Sequence, residues 1–273
     1  MRKLLWSYWE GETNDLLLKC INSWKKYLPD WQINILNENT VKQYNIIKSS
    51  TYEKLSATTK SDVIRLSLLY NYGGLWMDAT ILLLDNLDWL QQYDKYPYFG
   101  FIPPKNYIYS LIISDKNYPR HFSSWFIYVP QKKEQLIYKW ITVLNDILEL
   151  DKYEKHVAYN SPCTISNNYF MIYQSFCYLV DTDKKFANVF YNTPFLNKNI
   201  HDYSSIYPYS SYKKLIKFGK DGRFQNKYLK FPIIYIILLI SIRLYFNDMQ
   251  RTSLLLVFLL GSIFIFSIIF GVK

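Results

Sequence analysis

The chain has 273 residues, half of them hydrophobic, enough to bury one sizeable core in one or two domains. Its 32 basic and 22 acidic residues leave a formal charge of +10, which suits an anionic partner (phosphate, nucleic acid or an acidic membrane leaflet) as well as it suits a plain basic surface. Cys20, Cys163 and Cys177 are odd in number and widely separated with no C-x-x-C spacing; they read as free, buried thiols in a reducing compartment rather than as metal ligands.

The N-terminal stretch has basic residues but no sustained apolar run, so a secretory signal peptide is not expected. Leu4 to Tyr8 is a short apolar stretch suited to a first strand. Leu16, Leu17, Cys20, Ile21 and Trp24 recur at helical spacing and stop near Pro29. Gln32 to Leu36 alternates like a strand. Lys60 to Tyr72 predicts a helix, capped by Ser61 or Asp62 and ended at Gly73-Gly74. Leu75-Trp76-Met77 and Ile81 to Leu84 read as strands, and Gln135 to Leu150 as an amphipathic helix. Strands alternating with helices indicate an α/β layered domain. Asn192 to Tyr212, rich in Tyr, Ser, Asn and Pro, reads as a long loop.

The composition changes sharply near residue 230. Two apolar runs follow, Phe231 to Phe246 and Leu254 to Val272, joined by a short polar segment. The second carries no charge and is about long enough to cross a hydrocarbon core. The two runs predict an antiparallel helical hairpin that either spans the bilayer or dips into one leaflet; a buried hairpin of a globular domain is the competing reading. Lys213, Lys214, Lys217, Lys220, Arg223, Lys227 and Lys230 precede it. By the positive-inside rule this basic segment faces the cytoplasm, where anionic headgroups attract it. The expected organisation is a domain over 1–212, a basic juxtamembrane segment over 213–230 and a membrane-associated hairpin over 231–273, with the chain at the cell membrane and its main domain on the cytoplasmic side.

Chemistry concentrates between Ser61 and Thr80. Asp62 and Arg65 are three apart and share a helix face. From Asp62 to Tyr72 a helix climbs about 15 Å, and from Gly74 to Asp78 a strand returns about 13 Å. The near cancellation carries Asp78 back to the level of Asp62 and Arg65. That level is the C-terminal end of a strand, where open α/β sheets bind ligands. Carboxylates there accept ribose hydroxyls or hold a divalent cation, and an Arg offers a planar fork for phosphate or base edges. The plain alternative is a cap, an ion pair and a turn residue. His121, His156 and His201 show no paired metal spacing; His201 is the best outsider, being in the long loop. No Gly-rich phosphate loop, G-x-S-x-G or nucleic-acid motif is present, so no nucleic-acid partner is expected.

The Ser61–Thr80 stretch, S-D-x-x-R-L-x-L-L-Y-x-Y-G-G-L-W-x-D-A-T, closely resembles the capsular polysaccharide synthesis glycosyltransferases, relatives of glycosyltransferase family thirty-two. Leu5 to Gly11 and Cys20 to Trp31 resemble the same family, and Ser124 to Ile127 and Ser211 to Leu215 do so more weakly. The resemblance, over most of residues 4 to 215, implies an α/β, GT-A-like Rossmann-type nucleotide-sugar-binding domain; the C-terminal hydrophobic helical hairpin read above from the apolar runs follows it. It implies a nucleotide-sugar donor, foremost a UDP-sugar, a divalent metal (manganese or magnesium), and retention of anomeric configuration. By family pattern Asp62 and Arg65 contact the nucleoside. Asp78 is the first acid of a D-x-D motif, the catalytic and metal-binding position, and Trp9 sits where a base stacks on or beside it, a core aromatic of the first strand being the alternative for Trp9. Thr80 replaces the second acid, which weakens that metal position. The family often has a His near Lys214-Leu215, at the place of Lys213; a Lys in this stretch, with Lys214 as the donor-binding candidate, supplies a point charge for the diphosphate. The function implied is sugar transfer to a surface or capsular polysaccharide intermediate, a glycan or lipid-linked glycan. The alternative is a non-catalytic nucleotide-sugar-binding or scaffold module.

Overall fold

A computed structural model of the chain describes residues 2–102, 122–150, 171–197 and 215–217, all within one compact unit, Met1–Gly219. Outside the described residues lie Lys214, most of the basic segment, the 231–273 apolar region, residues 198–212 of the expected loop, the three histidines and Cys163. Among the described residues no helix is long and apolar enough to cross a membrane.

The strands are β1 (Leu4–Tyr8), β2 (Gln32–Leu36), β3 (Gly74–Met77), β4 (Ile81–Leu83), β5 (Phe99–Ile102), β6 (Ser123–Val129), β7 (Leu196–Asn197) and β8 (Leu215–Lys217). The helices are α1 (Asp15–Tyr27), α2 (Ala57–Tyr72), α3 (Gln135–Glu149), α4 (Met171–Thr182) and α5 (Lys184–Asn192). Six strands form one mixed sheet in the order β2-β1-β3-β6-β5-β7. β1 is parallel to both β2 and β3, whereas β6 runs antiparallel to β3 and β5. β4 and β8 make a separate antiparallel pair.

Strand periodicity explains the layers. Successive side chains point to opposite faces. Trp6, Trp76, Ile127 and Val129 therefore join one core with α2, α3 and α4, while Leu5, Leu75, Met77, Phe126 and Tyr128 join another with α1. A sheet covered on both faces needs apolar residues at nearly every central position, as β3 and β6 show by being buried throughout. α2 is buried nearly all round, through Val63, Ile64, Leu66, Leu68 and Leu69, which marks it as a central helix. Cys20 and Cys177 are buried, and burial pushes the free Cys20 thiol up to about 12.

One sequence expectation is corrected here. α2 begins at Ala57, and its cap is Ser56, whose hydroxyl accepts from the Thr59 N–H at 3.3 Å. Neither Ser61 nor Asp62 caps it, because apolar periodicity begins only at Val63 and says nothing about the polar turn before it. Asp62 consequently sits in the second turn, with its side chain buried against Arg65 instead of turned to the helix end.

The chain turns from α2 into β3 through two glycines of positive φ, Gly73 at 69° and Gly74 at 95°. A Cβ on Gly74 would lie 2.5 Å from the Leu4 carbonyl oxygen and 2.8 Å from the Leu4 Cβ. Gly74→Ala therefore combines left-handed strain with a backbone clash that pries β3 from β1. It is expected to cost at least about 2 kcal/mol in urea unfolding; an unchanged midpoint would show that the β1–β3 approach is looser than this.

At the start of α5, Asp183 accepts from the Phe186 N–H at 2.9 Å and pairs with Lys139 of α3. Lys139 above all, then the Phe186 N–H, holds its carboxyl below the usual range. The folded state thus binds this proton less tightly than the unfolded one. The stabilisation is complete above the unfolded value of about 3.9 and fades as pH falls through the lower folded value. Asp183→Ala should cost about 1 kcal/mol at pH 7, with the gap to the parent protein closing below about pH 4.

Candidate functional site

Asp78 follows directly on β3, at its C-terminal end. Its N–H donates to the Trp125 carbonyl of β6 at 2.9 Å, and its own carbonyl accepts from Ile81 N–H at 3.1 Å, closing the tight turn Asp78-Ala79-Thr80-Ile81. The far side of the turn is pinned by α1. The Trp24 indole N–H donates to the Ile81 carbonyl at 2.6 Å, and the Ser23 hydroxyl accepts from Leu83 N–H at 2.9 Å.

Arg65 binds the site together from α2. Its Nη2 lies 3.2 Å from Asp62 Oδ1, 3.4 Å from Asp78 Oδ1 and 3.1 Å from the Ser61 hydroxyl. Its Nη1 donates to the Ser124 carbonyl at 2.5 Å, and the guanidinium lies 4.9 Å from the Trp76 ring centre. Trp76 donates its indole N–H to Asp78 Oδ1 at 3.0 Å. A residue two before Asp78 on an extended chain points to the same face, so this contact follows from strand spacing.

Exposure divides the cluster. The Asp62 and Arg65 side chains are each 5% exposed, whereas that of Asp78 is 27% exposed. Asp78 thus presents carboxylate to solvent, and Asp62 and Arg65 stand behind it. The three groups sum to one net negative charge. A diphosphate approaching them meets like charge unless a cation lies between. Thr80 is buried two residues further on.

A crevice of about 410 Å³ lies at the C-terminal ends of β1 and β2. Trp9, Glu10, Gly11 and Thr13 from the loop after β1, Leu17 and Ile21 of α1, and Asn37, Glu38 and Asn39 after β2 contribute to its lining. Trp9 is half-buried; its main-chain N–H donates to Leu36 at 2.9 Å and its indole N–H to Glu12 at 3.2 Å. It is therefore not the core aromatic that the first strand alone could have made it. β1 neighbours β3, so the crevice and Asp78 both lie at the C-terminal edge of the sheet.

The structure thus brings Asp62 and Asp78 together on Arg65, sets Trp9 in the crevice at the same sheet edge and places Thr80 in the same turn as Asp78. Lys214 lies outside the described residues; the strand after it, β8, pairs Leu215 with Leu83. Sequence reasoning missed Ser124, which reaches Arg65 from 59 positions away with no local signal. It also missed the glutamates of the crevice, which look like ordinary loop acids.

The fold and site define an α/β protein whose mixed sheet carries an acid–arginine cluster and an aromatic-lined crevice at one strand edge, the place where such sheets take ligands. Residues 1–215 match the family described as capsular polysaccharide synthesis protein, and the chain belongs to that family. No curated protein matches it. Among solved structures it is similar to one titled PaToxG Glycosyltransferase, at 16% identity and a TM-score of 0.40, over 70% of this chain and 74% of that one.

Proposed function

We propose that this chain is a glycosyltransferase that moves a sugar from a nucleotide-sugar donor to a surface or capsular polysaccharide intermediate. The observation that carries the reading is the half-buried Asp78, held by Arg65 and Trp76 at the sheet edge that also carries the Trp9 crevice, in a member of the capsular polysaccharide synthesis family. In this reading the base enters the crevice beside Trp9, the ribose and diphosphate run toward Asp78, and Arg65 acts mainly through Asp62 and Asp78, which it orients. The GT-A character of the domain, a uridine donor and retention of configuration rest on the resemblance of the Ser61–Thr80 stretch. The membrane setting rests on the 231–273 apolar region and the basic residues before it, which suit a lipid-linked acceptor at the cytoplasmic face.

A manganese or magnesium ion fits the residues present. Among the described residues no group of three or more His, Cys, Asp or Glu forms a protein cage. A hydrated ion carried by the substrate's phosphates needs only one or two carboxylates. Asp78 would hold it, with the Thr80 hydroxyl as a weaker neighbour and Lys214 as a further charge for the diphosphate. Such an ion supplies charge neutralisation of the departing nucleotide. The net negative charge of the Asp62, Arg65 and Asp78 cluster is the structural reason to expect it.

The test is release of free nucleotide from a panel of nucleotide sugars with manganese, with and without a lipid-linked glycan acceptor. Turnover of at least one donor, stimulated by acceptor and abolished by chelation, is expected. Binding without hydrolysis or transfer across the panel would instead favour a scaffold role, and no binding at all would sink the reading.

A further inference from the structure

Two glutamates line the Trp9 crevice, and they differ in what already holds them. Glu38 is paired with Lys60 at 3.4 Å. Glu10 is half-buried, and its Oε1 accepts from the Tyr8 hydroxyl at 2.7 Å. Among the described residues no cation pairs with Glu10, and no donor meets its Oε2. The Tyr8 hydroxyl is itself pushed well above the usual phenol range, by burial first and by Glu10 next. It therefore stays protonated and can only give its proton to Glu10. The outcome is a carboxylate fixed from behind by a buried tyrosine, with accepting capacity left over, beside an aromatic at the mouth of a crevice.

The geometry points to Glu10 as the residue that reads the base of the donor nucleotide, with Tyr8 as its positioning residue, and to a base with a ring N–H next to a carbonyl. This rests on the nucleotide-sugar reading above. A carboxylate only accepts hydrogen bonds. Uracil, thymine and guanine carry a ring N–H on the edge opposite the sugar and donate to it. Cytosine and adenine carry a bare ring nitrogen there, so two acceptors face each other and each loses its water. Their amino groups recover part of this loss by donating from the side, which keeps the discrimination moderate. An anionic group at this end also disfavours phosphate in the crevice and leaves it to the base, while the diphosphate at the Asp78 end needs the cation described above.

The test is calorimetric titration of the purified 273-residue chain, in detergent and manganese, with UDP, GDP, CDP and ADP. UDP or GDP is expected to bind at least about tenfold more tightly than CDP and ADP; the UDP-to-GDP ratio then tells the two source bases apart. Glu10→Gln, whose amide can turn to donate, should bring the four within about threefold of one another. Tyr8→Phe should lower the same ratio, a change that a merely structural tyrosine would not cause, and it carries the test should Glu10→Gln fail to fold. CDP or ADP bound as tightly as UDP and GDP by the parent chain, or a folded Glu10→Gln with undiminished selectivity, overturns the assignment while leaving the nucleotide-sugar reading in place. Failure of all four to bind overturns that reading itself, and this inference with it.

Discussion

Asp78→Asn is expected to lower nucleotide release from the best donor by at least about a hundredfold while leaving the fold intact. The carboxylate has two tasks. One oxygen accepts from Trp76 and Arg65, and the group as a whole offers negative charge at 27% exposure to whatever enters the strand edge. An amide keeps the first task, because its carbonyl oxygen can still accept from Trp76. It fails at the second, since it is neutral and presents N–H where an acceptor stood. Arg65 retains Asp62 as counter-charge, so thermal unfolding should shift by only a few degrees. Release within tenfold of the parent protein would remove Asp78 from the site.

Arg65→Met is expected to have the largest effect on stability, a loss of about 3–5 kcal/mol. The substitution keeps an unbranched chain of comparable length, so packing is not the cause. It strips the neighbouring charge from Asp62, whose side chain is 5% exposed, and takes the Nη1 donor from the Ser124 carbonyl. Breaking a buried pair from one side costs far more than the pair contributes, because a charge is left in a medium that solvates it poorly. Against a total stability of about 5–15 kcal/mol this is a large share, and at the low end of that range the variant is close to unfolding at ordinary temperature. Asp62→Asn in the same background should recover part of the loss, since the buried side chain that has lost its guanidinium neighbour is then neutral. Urea midpoints of the two variants measure both effects. A loss below about 1 kcal/mol in Arg65→Met would show that the guanidinium is solvated and not the brace described above.

The two variants separate holding from acting. One removes a group that faces the solvent edge and should spare the fold; the other removes a group that faces inward and should not. If Arg65→Met folds and loses activity only, the guanidinium reaches the donor itself, as the family pattern of Arg65 implies.

Much of this was legible in the chain. Leu4–Tyr8, Gln32–Leu36 and Leu75–Met77 carry short apolar or alternating runs, and each lies on a strand of the sheet. Leu16, Leu17, Cys20 and Trp24 recur at helical spacing and lie on the buried face of α1. That Asp62, Arg65 and Asp78 share one level was legible too, since it follows from two rises per residue and a Gly-Gly turn; their contacts through Arg65 come from the structure. Periodicity and chain geometry are local quantities, and a linear sequence contains them in full. The start of α2 was not legible, because a polar first turn has no apolar stripe to mark it.

Only the tertiary structure decided how deep each member of the cluster lies. Asp62 and Asp78 are both aspartates near the same arginine. Yet β6 pairs beside β3, where the Ser124 carbonyl accepts from Arg65 and the Trp125 carbonyl from the Asp78 N–H, and the packing buries Asp62 and Arg65 while leaving Asp78 the more open. The same holds for Glu10 and Glu38. As loop acids they are alike in sequence; Lys60 from α2 pairs with one, and Tyr8 at the end of β1 fixes the other. Burial, and pairings such as Glu38 with Lys60 or Arg65 with the Ser124 carbonyl, are set by residues tens of positions away, and their energies depend on the solvent excluded by the whole fold. The sequence by itself determined which elements form and which charged residues share an edge. The packing around them decided which carboxylate is a brace and which is presented to a ligand.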